Sequence, residues 1–532
     1  MLAALIFRNC RVFTSNPAAP TAAAVVVRGN RIVYVGDDAG SRAWQGQEID
    51  GQGHTLMPGF IDSHFHLLWG AKLLSGPQLA GERSLADLRR KIQGWLEKNE
   101  EADWIVGQGV SYSIPTPDVT LDRQQLDSIV ADRPLVLMAF DHHSMFVNTM
   151  ALQRAGILHN PPTDLANGEI EVVDGTATGA LYESDAMNFI HDILPVPDEA
   201  EMREIVRQGL AHVAELGITS VHNMDGDYDQ ATLYATLEDM GELSLRVYIP
   251  FSAKPQHDPG EMLAAASAMA HDFQSDKVRA GAVKFFMDGV YESYTALTLN
   301  GYSDRSDHLG EPIWPAGRFA EMAVAADRAG LQIAVHAVGD GAVSAVLDGY
   351  AAARRQNGIR DSRHRIEHIE VVNPADLARF QQLGVVASMQ PLHAPLTAND
   401  PDAWALRVRR EDWPQAFAWA AFRQAGIPLA FGSDWPVVTA DPLLGLRGAV
   451  NRQPFRPGLP QQQQSLTDAL ASYTRVAAFT EFTEEDKGQI KNGQLADLVL
   501  LDADIFAIPP EAIGDVRVNM TICDGQIVYA RK

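Results

Sequence analysis

The sequence predicts an α/β protein: a (β/α)8 barrel of the TIM type, a small discontinuous β-sandwich made from the two termini, and an inserted subdomain after barrel strand 1. Three observations predict it. Short β-branched apolar runs alternate with longer amphipathic segments through the middle of the chain, as parallel βα units do. Both ends carry strand–turn–strand patterns too small to make a stable sheet alone. The interval between the first two runs is much too long for a single crossover.

The N-terminal part, residues 1–57, reads ALIFRNCRVFT and then AAAVVVRGNRIVYVGD, where Gly29-Asn30 is placed as a hairpin loop. Residues 481–532 do the same with ADLVLLDAD and VNMTICDGQIVYA, where Asp524-Gly525 is a strong hairpin signal. Pairing the two ends supplies the apolar surface that each lacks. Between them the barrel strands are expected at Gly59 to His66, Ile218 to Asn223, Leu245 to Pro250, Val283 to Met287, Gln332 to His336, Arg365 to Ile369, Val385 to Met389 and Leu429 to Ser433. Segments such as RFAEMAVAADRAG and NPADLARFQQLG supply helices ending in a Gly suited to a C-cap. Barrel strand 1 falls in 58–72, the inserted subdomain in 73–197 and the rest of the barrel in 198–480.

Composition narrows the partners. With 43 Lys and Arg against 68 Asp and Glu, the net charge of −25 opposes nucleic acid and anionic membrane surfaces, and no basic run offsets it. The expected partner is a small-molecule substrate. Cys10 and Cys523 are too few and too far apart for a disulfide framework, and read as buried packing residues in a reducing compartment. The N-terminus lacks a basic region and a cleavage pattern, and no run approaches the ~20 apolar residues of a membrane span. A cytoplasmic protein is expected.

In such a barrel the reacting groups sit at the C-terminal ends of the strands. The first strand ends in Asp62-Ser63-His64-Phe65-His66, and histidines two apart on an extended backbone project from one side, where they can share an ion. Lys284 stands in VKFFMDG, His336 in IAVHAVGD, His368 in RIEHIEV and Asp434 in FGSDWPV, each at or just past an apolar run. Any one of them could be a capping or ion-paired residue; together they form a metal-capable set.

That set, in that order, resembles the amidohydrolase superfamily of metal-dependent (β/α)8 hydrolases. DHHSMFVNTMALQRAGI, GEIEVVDGTATGALYE, HAVGDGAV and SMQPLHA are more narrowly similar to its amidohydrolase-3, YtcJ-like branch. The resemblance implies one or two divalent metal ions, zinc foremost: His64 and His66 on one, His336 and His368 on the other, with Lys284 carboxylated and bridging them. An unmodified ammonium has donors only and would repel the second ion. Asp434 would touch the first ion and shuttle a proton for a metal-activated hydroxide. After VKFFMDG the chain reads VYESYTAL, where the branch would be richer in Gly and Ser; that departure concerns substrate contacts.

The expected activity is hydrolysis of C–N bonds other than peptide bonds, in an N-acyl or N-formyl amide or a cyclic amide. No G-x-S-x-G elbow or P-loop competes with it. A metal-dependent lyase or decarboxylase on the same barrel, or a non-catalytic regulatory protein, are the alternatives, because fold likeness does not separate them. Candidate substrate contacts are His143, Asp288, Tyr291, Gln390 and Trp435, with Trp69 beyond them. Asp340 and Glu367 are candidates for orienting the histidines, and Asp141 and His142 share the insertion with His143. Self-association as a homodimer is compatible with barrels of this type.

Overall fold

The computed structural model describes residues 4–112, 114–116, 119–139, 144–165, 168–394 and 403–532. They divide into two compact units, one formed by Met1–Leu67 with Leu210–Lys532 and the other by Leu68–Gly209.

Eight parallel strands of the larger unit form one sheet in chain order: β1 (Phe60–Phe65), β2 (Ile218–Asn223), β3 (Arg246–Ser252), β4 (Val278–Phe286), β5 (Gln332–Ala337), β6 (Arg365–His368), β7 (Val386–Met389) and β8 (Leu429–Phe431). Every position of β1, β2, β6, β7 and β8 is buried, as strands covered on both faces must be. Each strand overlaps a run expected from the sequence. The largest shift is in β4, which begins at Val278 rather than Val283 because half-exposed Arg279 and Gly281 alternate with buried Val278, Ala280 and Ala282 and break up the apolar run.

The sheet closes between β1 and β8. Phe65 bridges Trp435, His66 N donates to Trp435 O at 2.9 Å, and Asp434 N donates to His64 O at 2.7 Å. Asp62 fastens the seam: its Oδ1 accepts from His64 N at 3.1 Å and from Ser433 N at 2.9 Å. Gly432 permits the approach, since a Cβ there would lie 2.4 Å from His64 N.

Two further sheets belong to the same unit, one from the N-terminal end alone and one from both chain ends. A four-stranded sheet holds, in order, Arg31–Gly36, Ala24–Arg28, Ala4–Arg8 and Gly46–Asp50. A six-stranded one holds Gln526–Ala530, Val518–Cys523, Leu498–Leu501, Thr55–Pro58, Arg11–Phe13 and Thr21–Ala22. Leu498–Leu501 runs antiparallel to Thr55–Pro58, and Phe7, Val25, Leu56, Leu498 and Ile522 fill one core between the sheets. Asp524 and Gly525 both adopt positive φ, 54° and 74°, the conformation a two-residue I′ hairpin demands. Cys10 and Cys523 are buried and unpaired with each other. Arg246 at the start of β3 ties this layer to the barrel through Asp497 at 2.7 Å and Asp524 at 2.9 Å.

The Leu68–Gly209 unit has its own five-stranded sheet, ordered Glu169–Val173, Thr176–Tyr182, Ser144–Val147, Leu135–Ala139 and Ile105–Val110. One core, with Leu88, Ile92 and Leu137, lies on one face, and a second, with Val136, Leu152 and Ile190, on the other. Among the described residues no helix is long and apolar enough to cross a membrane.

The barrel interior is polar along part of its axis. Arg365, fully buried, donates to Glu367 Oε1 at 2.5 Å, to Ser388 Oγ at 2.8 Å and to His222 Nδ1 at 2.7 Å. A guanidinium has no acceptor, so His222 Nδ1 accepts and Nε2 carries the proton of the neutral ring, 3.5 Å from Glu481. Lys487 Nζ meets Glu481 at 2.7 Å. Burial alone would raise the Glu481 carboxyl, but Lys487 and then His222 outweigh it and hold it well below the usual carboxylate range. A depressed carboxyl contributes stability that is complete above its unfolded value of ~4.3 and lost as the pH falls toward its folded value. Lys487→Met is therefore expected to lower unfolding free energy by about 3–5 kcal/mol at neutral pH, by leaving a buried charge unpaired. In urea titrations the gap to the wild type narrows as the pH falls below ~4; a gap constant with pH contradicts this account.

Candidate metal centre

The strand ends bring together residues that are far apart in the chain. His64 and His66 come from the end of β1 and its continuation, Lys284 from β4, His336 from β5, His368 from the last position of β6, and Asp434 from just beyond β8. All six are buried or nearly so. His368, Ile369 and Asp434 adopt positive φ of 73°, 51° and 63°. A β-branched residue there is a marked outlier, and backbone strain of this kind gathers where side-chain direction matters.

Each of the four histidines has one ring nitrogen engaged by an acceptor. His64 Nδ1 lies 2.8 Å from Glu367 Oε2, His66 Nδ1 2.8 Å from Asp225 Oδ1, His368 Nδ1 2.9 Å from Gln390 Oε1, and His336 Nε2 3.1 Å from the Gly289 carbonyl. Such acceptors require that nitrogen to donate, so in the neutral rings of His64, His336 and His368 the lone pair is on the other one, as in histidines that ligate a metal. His66 Nε2 hydrogen-bonds Asp434 Oδ1 at 3.0 Å, and His64 Nε2 lies 3.4 Å from the same oxygen. The ligand atoms of His64, His66 and Asp434 fall within 4.8 Å of one another, and so do those of His368, His393 and Asp434. His336 belongs to neither group, although its ring centroid is 4.4 Å from that of His368.

The electrostatics suit a cation. Burial, then Lys284, push His64 down to about 3 and His336 down to about 4, and burial and the neighbouring rings hold His368 well below its ordinary value, so these three are neutral donors. Burial opposes charge on His66 too, but its hydrogen bonds to Asp225 and Asp434 prevail and push it up to about 9. Against burial, His64, His66 and His368 keep Asp434 ionised, and Arg365 and His64 do the same for Glu367. Lys284 Nζ is buried without a hydrogen-bond acceptor, 4.5 Å from the centroid of the Phe286 ring, and burial pushes it down to about 8. An orphaned amine among imidazoles and carboxylates is poorly served as an ammonium, and this donor set fits divalent cations.

The expected substrate contacts are placed variously. His143, with Asp141 and His142, lies outside the described residues. Asp288 accepts from Leu297 N, Val338 N and Gly339 N at 2.8, 3.0 and 2.9 Å, which makes it a clamp on the loops after β4 and β5. Tyr291 is buried with its ring against Tyr302 and Trp404. Trp435 stacks on Phe65 at 5.0 Å and takes part in the barrel seam. All three are engaged by the framework around them. Gln390 gives its carbonyl to His368, while its buried Nε2 has no hydrogen-bond partner. Asp340 caps backbone N–H groups of Leu299 and Gly341 and reaches no histidine. Trp69 belongs to the Leu68–Gly209 unit. The sequence reading missed Asp225 and His393. Both stand in loops just beyond strand ends, after β2 and β7, where the barrel rule directs attention, but neither sits within an apolar run that would have marked it.

Glu367→Gln removes the charge that fixes both the His64 tautomer and the Arg365 fork. Metal affinity, measured by elemental analysis after dialysis against graded chelator, is expected to fall 10- to 100-fold; an unchanged affinity means that Glu367 does not orient the ligand.

Comparison with known proteins agrees with this geometry. The sequence profile of the Amidohydrolase family matches residues 47–529. The chain is 29% identical over 507 residues to the putative amidohydrolase YtcJ of Bacillus subtilis, covering 91% of each chain. It is 26% identical to the N-substituted formamide deformylase of Arthrobacter pascens, over 99% of this chain and 98% of the other. The crystal structure of an uncharacterized metal-dependent hydrolase from Pyrococcus furiosus superposes with a TM-score of 0.76 at 25% identity, covering 96% of this chain and all of the other. With its profile matched across nearly the full length, the chain belongs to the Amidohydrolase family.

Proposed function

We propose that the protein is a metal-dependent hydrolase of non-peptide C–N bonds, acting on N-acyl or N-formyl amides or on cyclic amides. The observation that carries this reading is the set of four histidines gathered around one ionised carboxylate, each with a ring nitrogen engaged by an acceptor and His66 bonded through its other nitrogen to that carboxylate. The amide class is supported by likeness to the N-substituted formamide deformylase and by the chemistry of the site.

His64 and His66 would hold one divalent ion, and His336 and His368 a second, zinc being the metal that imidazole and carboxylate donors suit. When bound, such ions lower the pKa of water and polarise a scissile carbonyl. Asp434, ionised and beside His64 and His66, accepts the proton lost by water and returns it to the leaving nitrogen, general base and then general acid. Lys284 would carry a carboxyl group on Nζ. Its buried amine, pushed down to about 8, has an appreciable unprotonated fraction near neutral pH, the form that adds carbon dioxide. Carboxylation would turn an orphaned donor into an anionic ligand. Glu367 and Asp225 keep two of the imidazoles in the ligating tautomer throughout.

The net charge of −25 supports recognition of small molecules and neither nucleic acid nor an anionic membrane surface; a cytoplasmic location and a homodimer are proposed with it.

A panel of N-substituted formamides, N-acyl amides and cyclic amides tests it, with released amine as the readout. Amine release that stops on chelation and returns with zinc is expected; carbon dioxide release from carboxylic acids, with every amide inert, indicates the lyase alternative. Asp434→Asn is expected to lower kcat by 10²- to 10⁴-fold with folding intact, the range general acid–base catalysis supplies. Unchanged turnover in that variant overturns the proton-shuttle assignment.

A further inference from the structure

We infer that Phe286 is the apolar wall of the substrate site, and that the substrate carries, next to its scissile bond, an aryl or alkyl group that packs on this ring. The inference rests on the reading of the centre as an amide-hydrolysing site and narrows its substrate class. Phe286 is the last residue of β4, two positions past Lys284, so both side chains project from the same face of the strand. In the register of the sheet it stands opposite His336 of β5. Its ring centroid lies 5.2 Å from that of His336 and 4.5 Å from Lys284 Nζ. Phe286 therefore borders the centre directly.

Exposure separates it from its neighbours. Phe285, on the other face of β4, is fully buried against Trp314 and Phe319, with ring centroids 5.2 and 5.6 Å away, and serves the core. Lys284 is fully buried as well, whereas Phe286 is 38% exposed. A phenyl ring left open beside buried polar groups forgoes burial that would favour the fold, and an apolar group arriving on it recovers that burial.

A single exposed apolar residue is ordinary, but this one has company at the same strand end. Val290 follows the Gly289 carbonyl that receives His336 Nε2, and is also 38% exposed. Ile313, whose N–H donates to Met287 O at 2.8 Å, is 44% exposed. Asp288, between Met287 and Gly289, holds this segment through the N–H groups of Leu297, Val338 and Gly339. Three open apolar side chains are thus fixed around the end of β4. A charged substituent would lose water against them and gain no partner in return.

The test uses the full-length, metal-loaded protein and two matched pairs of probes. N-benzylacetamide and N-methylacetamide are read by amine release; their ketone isosteres 4-phenyl-2-butanone and 2-butanone, which have no C–N bond to hydrolyse, are read by calorimetric titration. Wild type is expected to favour the benzyl member of each pair at least about tenfold, the low end of what even one methylene supplies in an apolar pocket. Phe286→Ala is expected to abolish that preference, raising KM for N-benzylacetamide by about tenfold or more while N-methylacetamide changes less than about threefold and metal content stays the same. Phe286→Leu, which keeps an apolar side chain there, is expected to retain most of the preference. A wild type without the preference, or a preference that survives in Phe286→Ala, overturns the inference and leaves the hydrolase reading intact. If no amide is hydrolysed, the amide reading fails, and the ketone titrations still decide the role of Phe286 by the same criterion.

Discussion

The arrangement depends on the seam at which the barrel closes. Ser433 and Asp62, 371 positions apart in the chain, are joined by a backbone N–H and a buried carboxylate, and Gly432 leaves room for the two strands to touch. His64 and His66 stand on one side of the seam and Asp434 on the other, so the closed sheet is what brings these three side chains together. Asp62 binds main-chain N–H groups of His64 and Ser433 and the Ser433 side chain, and so serves the seam although it sits in the same motif as two ligands. Burial pushes its carboxyl up to about 7, even though the Ser433 side chain and the N–H groups of Ser433 and His64 oppose that.

From this seam the polar interior follows. A barrel of this size is ordinarily filled by branched apolar side chains. Here Arg365 replaces part of that filling and joins β6 to β7 through Ser388 and to β2 through His222. Its fork also fixes Glu367, which fixes His64. A buried ionic group stabilises little by itself once its desolvation is counted, but it is very costly to half-remove. Orientation of the ligands and integrity of the barrel floor therefore share residues.

Much of this was legible in the sequence. Apolar runs of β-branched residues give the eight strands, because burial on both faces removes polar alternation, and the strand-end rule points to His64, His66, Lys284, His336, His368 and Asp434. The turn chemistry of Asp524-Gly525 is equally local and equally readable. What was not legible is set by contacts between distant segments. The packing of Asp288, Tyr291 and Trp435 against distant loops and rings is one such feature. Asp225 and His393 carry no periodic signal, since loop residues are oriented by the scaffold beneath them. Gln390 has a side chain facing two ways, and only three-dimensional placement tells which end is taken.

The shared terminal sheet bears on how the chain is made. Thr55 begins the strand whose antiparallel neighbour is Leu498–Leu501, and it contacts Asp504, 449 positions later. At bacterial or eukaryotic synthesis rates of about 5–20 residues per second, the early strand waits roughly 20 to 90 s on the ribosome for its partner. Throughout that delay the nascent Thr55–Pro58 segment offers an unpaired apolar edge, which makes co-translational shielding, rather than the finished protein's thermodynamics, the vulnerable stage of its biogenesis.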